Sequence, residues 1–309
     1  MKYENLINPD LIPTKIKEDF QFIQNKIQEA NGEAYLVGGA VRDLVMEKSP
    51  HEYDITTSLP PETIQKIFNK VKETGIQHGT VLVLLKNENY EFTTYRTEQG
   101  YSDGRRPDEV KYSTSLEEDL MRRDFTMNAL AMNLEDYSVL DFHNGINDIK
   151  NKTIRTIGNP IERFSEDGLR PIRAIRFLSS LEFRIEENTY KAIHETKEIT
   201  SKISKERFHD EILKILKNNS PYLSIKELFN NKIFSLFVDN VNEDYNIENL
   251  KIIDKLIKSP VGLRLSFILK ILLEGKENYS EEGEKILKEL KFSRENIKDT
   301  LFFLSFINE

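Results

Sequence analysis

The chain has 309 residues, a length that suggests about two domains; 38 % are hydrophobic and 31 % are charged with both signs mixed, which supplies a core and excludes wholesale disorder. It contains no cysteine, so disulfides, thiolate zinc sites, iron–sulfur clusters and a cysteine nucleophile are excluded; five scattered histidines argue against a His-rich metal site. Its apolar stretches are far shorter than the ~20 residues of a membrane span, and Met1-Lys2-Tyr3-Glu4 is neither a signal nor a transit peptide, so a cytoplasmic protein is expected. The net charge of −8 argues against a nucleic-acid partner for the chain as a whole. Residues 150–217, however, carry 15 Lys/Arg against 11 Asp/Glu, a balance of +4 that suits phosphates.

In chain order, Pro13 to Ala30 sets Ile16, Phe20, Ile23 and Ile27 at helical spacing. Ala34 to Val37 is an apolar run ending at Gly38-Gly39, the pattern of a strand into a turn. Val41 to Glu47 reads as a short helix and Tyr53 to Thr57 as a β-branched strand; Pro61 to Val71 opens with Pro-Glu as a helix. Thr80 to Leu85 and Tyr90 to Arg96 flank Lys-Asn-Glu-Asn as a hairpin, and Glu98 to Ser115, with Gly100, Asp103-Gly104 and Pro107, reads as a long loop. From Leu116 the pattern becomes helical: one helix or two over Leu116–Asn133, a turn-rich connector over Asp141–Asp148, then helices over Glu166–Leu181, Glu187–Ile199 and Lys205–Lys217. After Pro221 the apolar residues keep helical spacing through Ile247–Ile257, Leu263–Leu273 and Glu281–Leu290. The expected layout is an N-terminal α/β domain followed by an all-helical body.

Four constellations carry chemistry. In Leu36-Val37-Gly38-Gly39-Ala40-Val41-Arg42-Asp43, bare glycines allow close backbone approach, free N–H groups attract phosphate, and Arg42 adds a charged fork; alone, the motif also fits a tight turn with a surface arginine. In Glu52-Tyr53-Asp54 the two carboxylates, placed i and i+2 on a strand, face one side. They could bridge paired Mg²⁺ ions about 3.5–4 Å apart, with Glu91 as a third ligand from a neighbouring strand; an isolated pair equally fits a solvated strand face. Arg122-Arg123-Asp124 reads alone as a surface ion pair. In Glu166-Asp167-Gly168-Leu169-Arg170-Pro171-Ile172-Arg173-Ala174-Ile175-Arg176, Asp167 and Arg170 are helical neighbours, a salt bridge on the plain reading.

These motifs, in this order and spacing, resemble the class II tRNA nucleotidyltransferases, the CCA-adding enzymes, and the related bacterial poly(A) polymerases. Matching segments are Leu36–Asp43, Glu52–Ser58, Glu91–Arg96, Glu117–Ala131, Asp141–Ile149, Arg163–Phe177 and Lys205–Leu216, with weaker similarity through Ile286–Phe303. The resemblance implies an α+β fold: a polymerase-β-like nucleotidyltransferase head (residues 1–149, mixed sheet with helices), a helical neck with a nucleotide-reading helix (150–217) and an all-α body (218–309). The implied activity is template-independent addition of C and A to the tRNA 3′ end from CTP and ATP by two-metal transfer with Mg²⁺. By residue-wise match, Gly38, Gly39 and Arg42 meet the triphosphate, Glu52 and Asp54 hold metal with Glu91 assisting, and Arg123 contacts the nucleotide. Asp167 and Arg170 read the base, and Arg173 and Arg176 continue the nucleotide-binding series.

Base reading has a physical rationale. Cytosine and adenine both present an amino donor beside a ring-nitrogen acceptor, which suits an aspartate–arginine pair. Guanine and uracil reverse the pattern, and each unpaired buried polar group costs roughly 1–3 kcal/mol. At ~100° per residue Arg176 lies half a turn from Asp167, so the arginines cannot all read one base.

Three features depart from the family pattern. Glu52 stands where aspartate is usual, which implies reduced rather than absent activity. Pro171 sits in the base-reading helix, so Glu166–Arg170 is expected as its first turn with Ser165 as N-cap. The helix Asp299–Phe306 is followed by only three residues, which suggests a short or truncated tail and self-association as a homodimer through its apolar face. The alternatives are a partial activity (CC-adding, A-adding or poly(A) polymerase) and a weakly active tRNA-binding module.

Overall fold

The computed structural model describes residues 1–75, 79–99, 109–239, 241 and 247–307. Among the described residues the chain forms two compact units, one from residues up to Asn159 and the other from Pro160 onward.

The first unit is built on an eight-stranded mixed sheet. Its strands are β1 (Lys2–Tyr3), β2 (Ala34–Val37), β3 (Asp54–Thr57), β4 (Val71–Gly75), β5 (Thr80–Leu84), β6 (Asn89–Thr94) and, after the separate hairpin β7 (Arg96–Gln99) and β8 (Glu109–Tyr112), β9 (Leu130–Asn133) and β10 (Val139–Asp141). The order across the sheet is β1-β10-β9-β2-β3-β6-β5-β4. Only β3 and β6 pair in parallel; the other pairs are antiparallel. The helices are α1 (Thr14–Glu29), α2 (Gly39–Val45), α3 (Pro61–Ile67), α4 (Leu116–Met121) and α5 (Gly145–Lys150). In α1 the expected stripe holds: Ile16, Phe20, Ile23 and Ile27 are at most 1 % exposed, each burial worth about 1.5–3 kcal/mol. Phe20 meets Tyr53 and Tyr90 edge-on, and Tyr90 donates to the buried Asp19 at 2.9 Å.

Several sequence expectations are corrected in this unit. The helix opened by Pro61 stops at Ile67, because Phe68 turns extended and buries itself against Phe92; Val71–Gly75 is then an edge strand. The long loop is partly ordered: Arg96, Thr97 and Glu98 pair with Tyr112, Lys111 and Val110, while Gly100, Asp103-Gly104 and Pro107 lie outside the described residues. The helix or helices over Leu116–Asn133 reduce to α4, a 3-10 turn at Thr126–Asn128 and the strand β9. Leu130, Ala131 and Met132 are each 0 % exposed. A strand buried on both faces reads as a continuous apolar run that periodicity cannot tell from a buried helix. The connector over Asp141–Asp148 holds the start of α5, and the Asp141 carboxylate accepts from His143, Gly145 and Ile146 N–H groups at its head.

The second unit is helical: α6 (Pro160–Glu166), α7 (Arg170–Leu181), α8 (Glu187–Glu195), α9 (Lys197–Thr200), α10 (Lys205–Leu216), α11 (Tyr222–Asn230), a 3-10 stretch at Glu248–Lys255, then α12 (Val261–Leu272), α13 (Tyr279–Glu289) and α14 (Arg294–Ile307). The single helix expected over Glu166–Leu181 is two helices broken at Asp167–Leu169. Pro171 falls in the first turn of α7, where its missing N–H leaves no bond unmade. Ser165 is no N-cap; it sits in α6 and donates to the Ile161 carbonyl at 2.7 Å. The helix expected over Glu187–Ile199 breaks at Thr196, whose hydroxyl bonds back to the Ala192 carbonyl. α7 packs closely on α11, with the Ser224 hydroxyl donating to the Ile175 carbonyl at 2.7 Å. The buried Arg264 donates to the carbonyls of Leu216, Asn218 and Leu256, closing the end of α10.

Candidate active site

Strand register assembles the first group. Val37 pairs with Asp54 across β2 and β3, so the turn after β2 falls at the end of the sheet where Asp54 stands. Asp54 pairs with Glu91 across the parallel strands, where residues in register point to one face. Gly38 makes the turn with φ +71° and ψ −138°, a conformation open to glycine and strained for other residues. A Cβ placed on Gly38 would lie 3.5 Å from Arg123 Nη1 and 3.8 Å from Asp54 Oδ2. Turn, arginine and carboxylate therefore meet at one point. Gly39 opens α2 beside Arg42, which donates to Asp43 at 2.7 Å and to Asn128 at 2.9 Å; Asn128 in turn donates to Asp124 at 3.2 Å.

Glu52 corrects the expectation of two acids on one strand, because β3 begins at Asp54 and Glu52 is an exposed residue just before it. Its charge still reaches the group. The pKa of Asp54 is raised by burial of its carboxylate, a rise that Arg123 opposes and Glu52 reinforces. That of Glu91 is raised by burial and then by Asp54, with Arg96 opposing and Glu52 adding. Asp54 is exposed as a whole residue, yet the protein atoms crowding its carboxylate make desolvation the largest cause of the rise. Among the described residues no three acidic, His or Cys side chains converge as a ready-made metal cage. Two hard carboxylates that burial and the neighbouring acidic charges leave short of positive charge nevertheless fit a Mg²⁺-type ion, which takes one or two protein carboxylates and completes its shell with substrate phosphates and water.

Arg122 and Arg123 are not the surface ion pair that sequence alone suggested. Their side chains are 16 % and 19 % exposed and converge on Asp119, which is 0 % exposed. Burial would raise the Asp119 pKa, but the Arg122 and Arg123 charges and hydrogen bonds from Arg122 and Thr56 outweigh it and hold it below the ordinary value. Asp119 was missed as a site residue, although acids three and four positions before paired arginines are a legible helical signal.

The second group lies in the helical unit. The side chains of Asp167 and Arg170 do not pair with each other, although the Arg170 N–H donates to the Asp167 carbonyl at 3.0 Å. Asp167 takes a bidentate fork from Arg207 of α10, at 3.0 and 2.8 Å. Arg170 is buried, donating to Glu166 and, at 2.8 Å, to the Arg163 carbonyl. The break in the helix causes this: Asp167 is outside helical geometry, so the i,i+3 argument does not apply to it. Gly168 is what lets the break pack, because a Cβ there would lie 2.5 Å from the Ile199 carbonyl oxygen. Arg176 is bound to the buried Glu211 at 2.6 Å and lies over the Phe177 ring; Arg173 is half-buried on the same helix, 5.9 Å from that ring. Arg207 lies in the helix that the spacing predicts over Lys205–Lys217, and nothing in that spacing marks it as the partner of Asp167.

Comparison with known proteins places this architecture. Residues 34–155 match the poly(A) polymerase head domain, and residues 182–243 match the probable RNA- and SrmB-binding site of polymerase A. A CCA-adding enzyme of Pediococcus pentosaceus is 41 % identical over 285 residues, 91 % of this chain and 70 % of the relative. One from Enterococcus faecalis is 50 % identical over 205 residues, 66 % of this chain and 50 % of the relative. The crystal structure of the Bacillus stearothermophilus CCA-adding enzyme in complex with CTP is similar with a TM-score of 0.77 and 30 % identity, over 96 % of this chain and 71 % of that one. The chain therefore belongs to the CCA-adding enzyme family, with its α+β nucleotidyltransferase head and helical continuation. Family members are nucleotidyltransferases that need a divalent metal. The matches span from about half to seven-tenths of the length of these relatives.

Proposed function

We propose that this chain adds C and A nucleotides to the 3′ end of tRNA, taking CTP and ATP as substrates and using no nucleic-acid template. The observation that carries the reading is the meeting of the Gly38 turn, Arg123 and the Asp54–Glu91 carboxylate pair at one end of the sheet. Gly38, Gly39, Arg42 and Arg123 hold the triphosphate, with the arginines matching its charge. Asp54, with Glu52 and Glu91 beside it, would hold Mg²⁺, which when bound activates the attacking 3′-hydroxyl and neutralises the departing pyrophosphate. To hold such an ion the carboxylates would have to be ionised, which their raised pKa values oppose at low pH.

In the helical unit Asp167 and Arg170 read the base, and Arg173 and Arg176 continue the nucleotide-binding series along α7. Because Asp167 is forked to Arg207 and Arg170 to Glu166 before any base arrives, reading proceeds with both side chains already held by partners. The protein acts in the cytoplasm; among the described residues no helix is long and apolar enough to cross a membrane. The exposed Phe302 and Phe306 of α14 give a homodimer contact, to be checked by sedimentation.

The test is turnover on a tRNA lacking its 3′ end, with CTP and ATP supplied separately and together. Incorporation of both nucleotides in order supports the reading. Use of one nucleotide alone identifies a CC- or A-adding enzyme, runs of A a poly(A) polymerase, and tRNA binding without turnover a binding module. Glu52→Asp should preserve or raise the rate; a large loss would show a site built around glutamate.

A further inference from the structure

We propose that Asp119 is a positioning residue for nucleotide binding, setting where Arg123 stands relative to Asp54 and the Gly38 turn; this rests on the function proposed above. Asp119 lies on α4 and is fully enclosed. Its two oxygens have different tasks. Oδ1 accepts from Arg122 Nε at 2.9 Å and Nη2 at 2.8 Å, and from the Arg96 backbone N–H at 3.4 Å. Oδ2 accepts from the Thr56 hydroxyl at 3.0 Å and faces Arg123 Nη2 at 3.5 Å. That hydroxyl also lies 3.2 Å from the Thr93 carbonyl, but it has one proton, and the nearer, charged acceptor is the stronger claim on it.

Thr56 stands two residues beyond Asp54 on β3, so one carboxylate oxygen fixes both the strand that carries Asp54 and the guanidinium that faces it. The opposite end of that guanidinium, Nη1, reaches the Gly38 turn. The division of charge matters as much as the geometry. Arg122 is compensated twice, by Asp119 and by Glu98 at 3.1 Å. Among the described residues Arg123 has one ion-pair contact, the longer one to Oδ2, with weaker attraction from Asp54 and Asp124, and its buried Nε donates to no acceptor. Asp119 therefore holds Arg123 in place while leaving much of its charge directed at the turn. Without it, two adjacent guanidiniums repel and the strongest attraction left to Arg123 is Asp54, ahead of Asp124; that contact would occupy the carboxylate needed for the metal.

A residue that acts through another gives a coupled cycle. The full chain is titrated calorimetrically with CTP and Mg²⁺ in the absence of tRNA, to millimolar CTP, as wild type, Asp119→Asn, Arg123→Met and the double variant. Asp119→Asn should weaken CTP binding about tenfold in the wild-type background and less than about twofold beside Arg123→Met. An equal loss in both backgrounds, or normal CTP binding by Asp119→Asn, overturns the proposal. If Asp119→Asn does not fold, Thr56→Val takes its place, since it removes a donor to Oδ2 without unpairing a charge. It should weaken binding about threefold in wild type and not beside Arg123→Met, and equal losses again overturn the proposal. The two readings separate cleanly. Additive losses in a chain that adds C and A to tRNA sink the positioning role alone. Coupled losses in a chain that binds CTP without adding it to tRNA sink the function alone, and a wild type that does not bind CTP sinks both.

Discussion

The two halves of the candidate machinery handle charge in opposite ways. In the head, Asp54 and Glu91 stand side by side on registered strands; burial raises both pKa values, Asp54 adds to the rise at Glu91 and Glu52 adds to both, while Arg123 offsets the first and Arg96 the second only in part. In the helical unit the motif's charges are already matched: Asp167 with Arg207, Arg170 with Glu166, Arg176 with Glu211. The difference follows from what each half must meet. A metal–triphosphate brings several charges of both signs, so a head with uncompensated carboxylates gains when it arrives. A nucleobase is neutral and brings only donors and acceptors, so bare charges around it would go unpaired at roughly 1–3 kcal/mol or more each.

The largest test of that contrast removes the head's key charge. Asp54→Ala should abolish nucleotide addition while tRNA binding, measured by filter retention, stays nearly unchanged; full turnover would remove Asp54 from the metal site. Next in size is Asp167→Ala, which should narrow the preference for CTP over UTP about tenfold, more than it weakens CTP binding itself, as expected for one lost polar contact. If only affinity falls, Asp167 serves Arg207 and not the base.

How much of this was legible in the sequence depended on whether a residue's role was local. Gly38-Gly39 after a four-residue strand, the stripe of α1 and, to within one residue, the strand expected over Tyr53–Thr57 could be read locally because neighbours along the chain fix them. Glu91 could be proposed but not placed, since its register with Asp54 is a long-range strand pairing. The partner of Asp167 was not legible: Arg207 is 40 residues away, and the helical reading supplied a nearer but wrong neighbour in Arg170. The break that defeated that reading is set by Gly168 closing on the Ile199 backbone, again a tertiary contact. Asp119 was legible in spacing, but only its burial distinguishes a keystone from one more surface acid.

A third test therefore targets packing and not charge. Gly168→Ala drives a Cβ against the Ile199 carbonyl at a separation no side chain tolerates, so α7's leading turn must shift. Overpacking of this kind costs about 1–3 kcal/mol. It should appear as earlier denaturant unfolding of the helical unit and weaker base preference, with CTP-independent Mg²⁺ binding in the head unchanged. Wild-type stability would show that the turn has room that the close approach to Ile199 denies.

The smallest effect separates the two halves by sign. Folding raises the pKa of Asp54, so the folded protein retains a proton that the unfolded chain gives up, and stability falls as pH rises from the ordinary aspartate range through the raised value. Above that window the ionised side chain is a net burden on the metal-free head, which Arg123 reduces but does not cancel. Asp54→Asn keeps the shape and removes the burden, so at neutral pH in EDTA its thermal midpoint should lie above that of wild type, and the gap should close as pH drops below the ordinary aspartate range. Mg²⁺ with CTP should shrink the gap or reverse it, since only wild type gains from the ion. Glu211→Gln in the helical unit should do the opposite. There the folded pKa is depressed: burial would raise it, but Arg176, Lys214 and Arg173 outweigh that penalty. Its contribution is present above the ordinary glutamate range and is lost as pH falls through the depressed value, so the variant should melt below wild type at neutral pH with or without metal. Scanning calorimetry of both variants from neutral pH down to below the ordinary aspartate range decides the matter: two shifts of the same sign at neutral pH would mean that the head's carboxylates are compensated within the protein, and the contrast between the halves would fail.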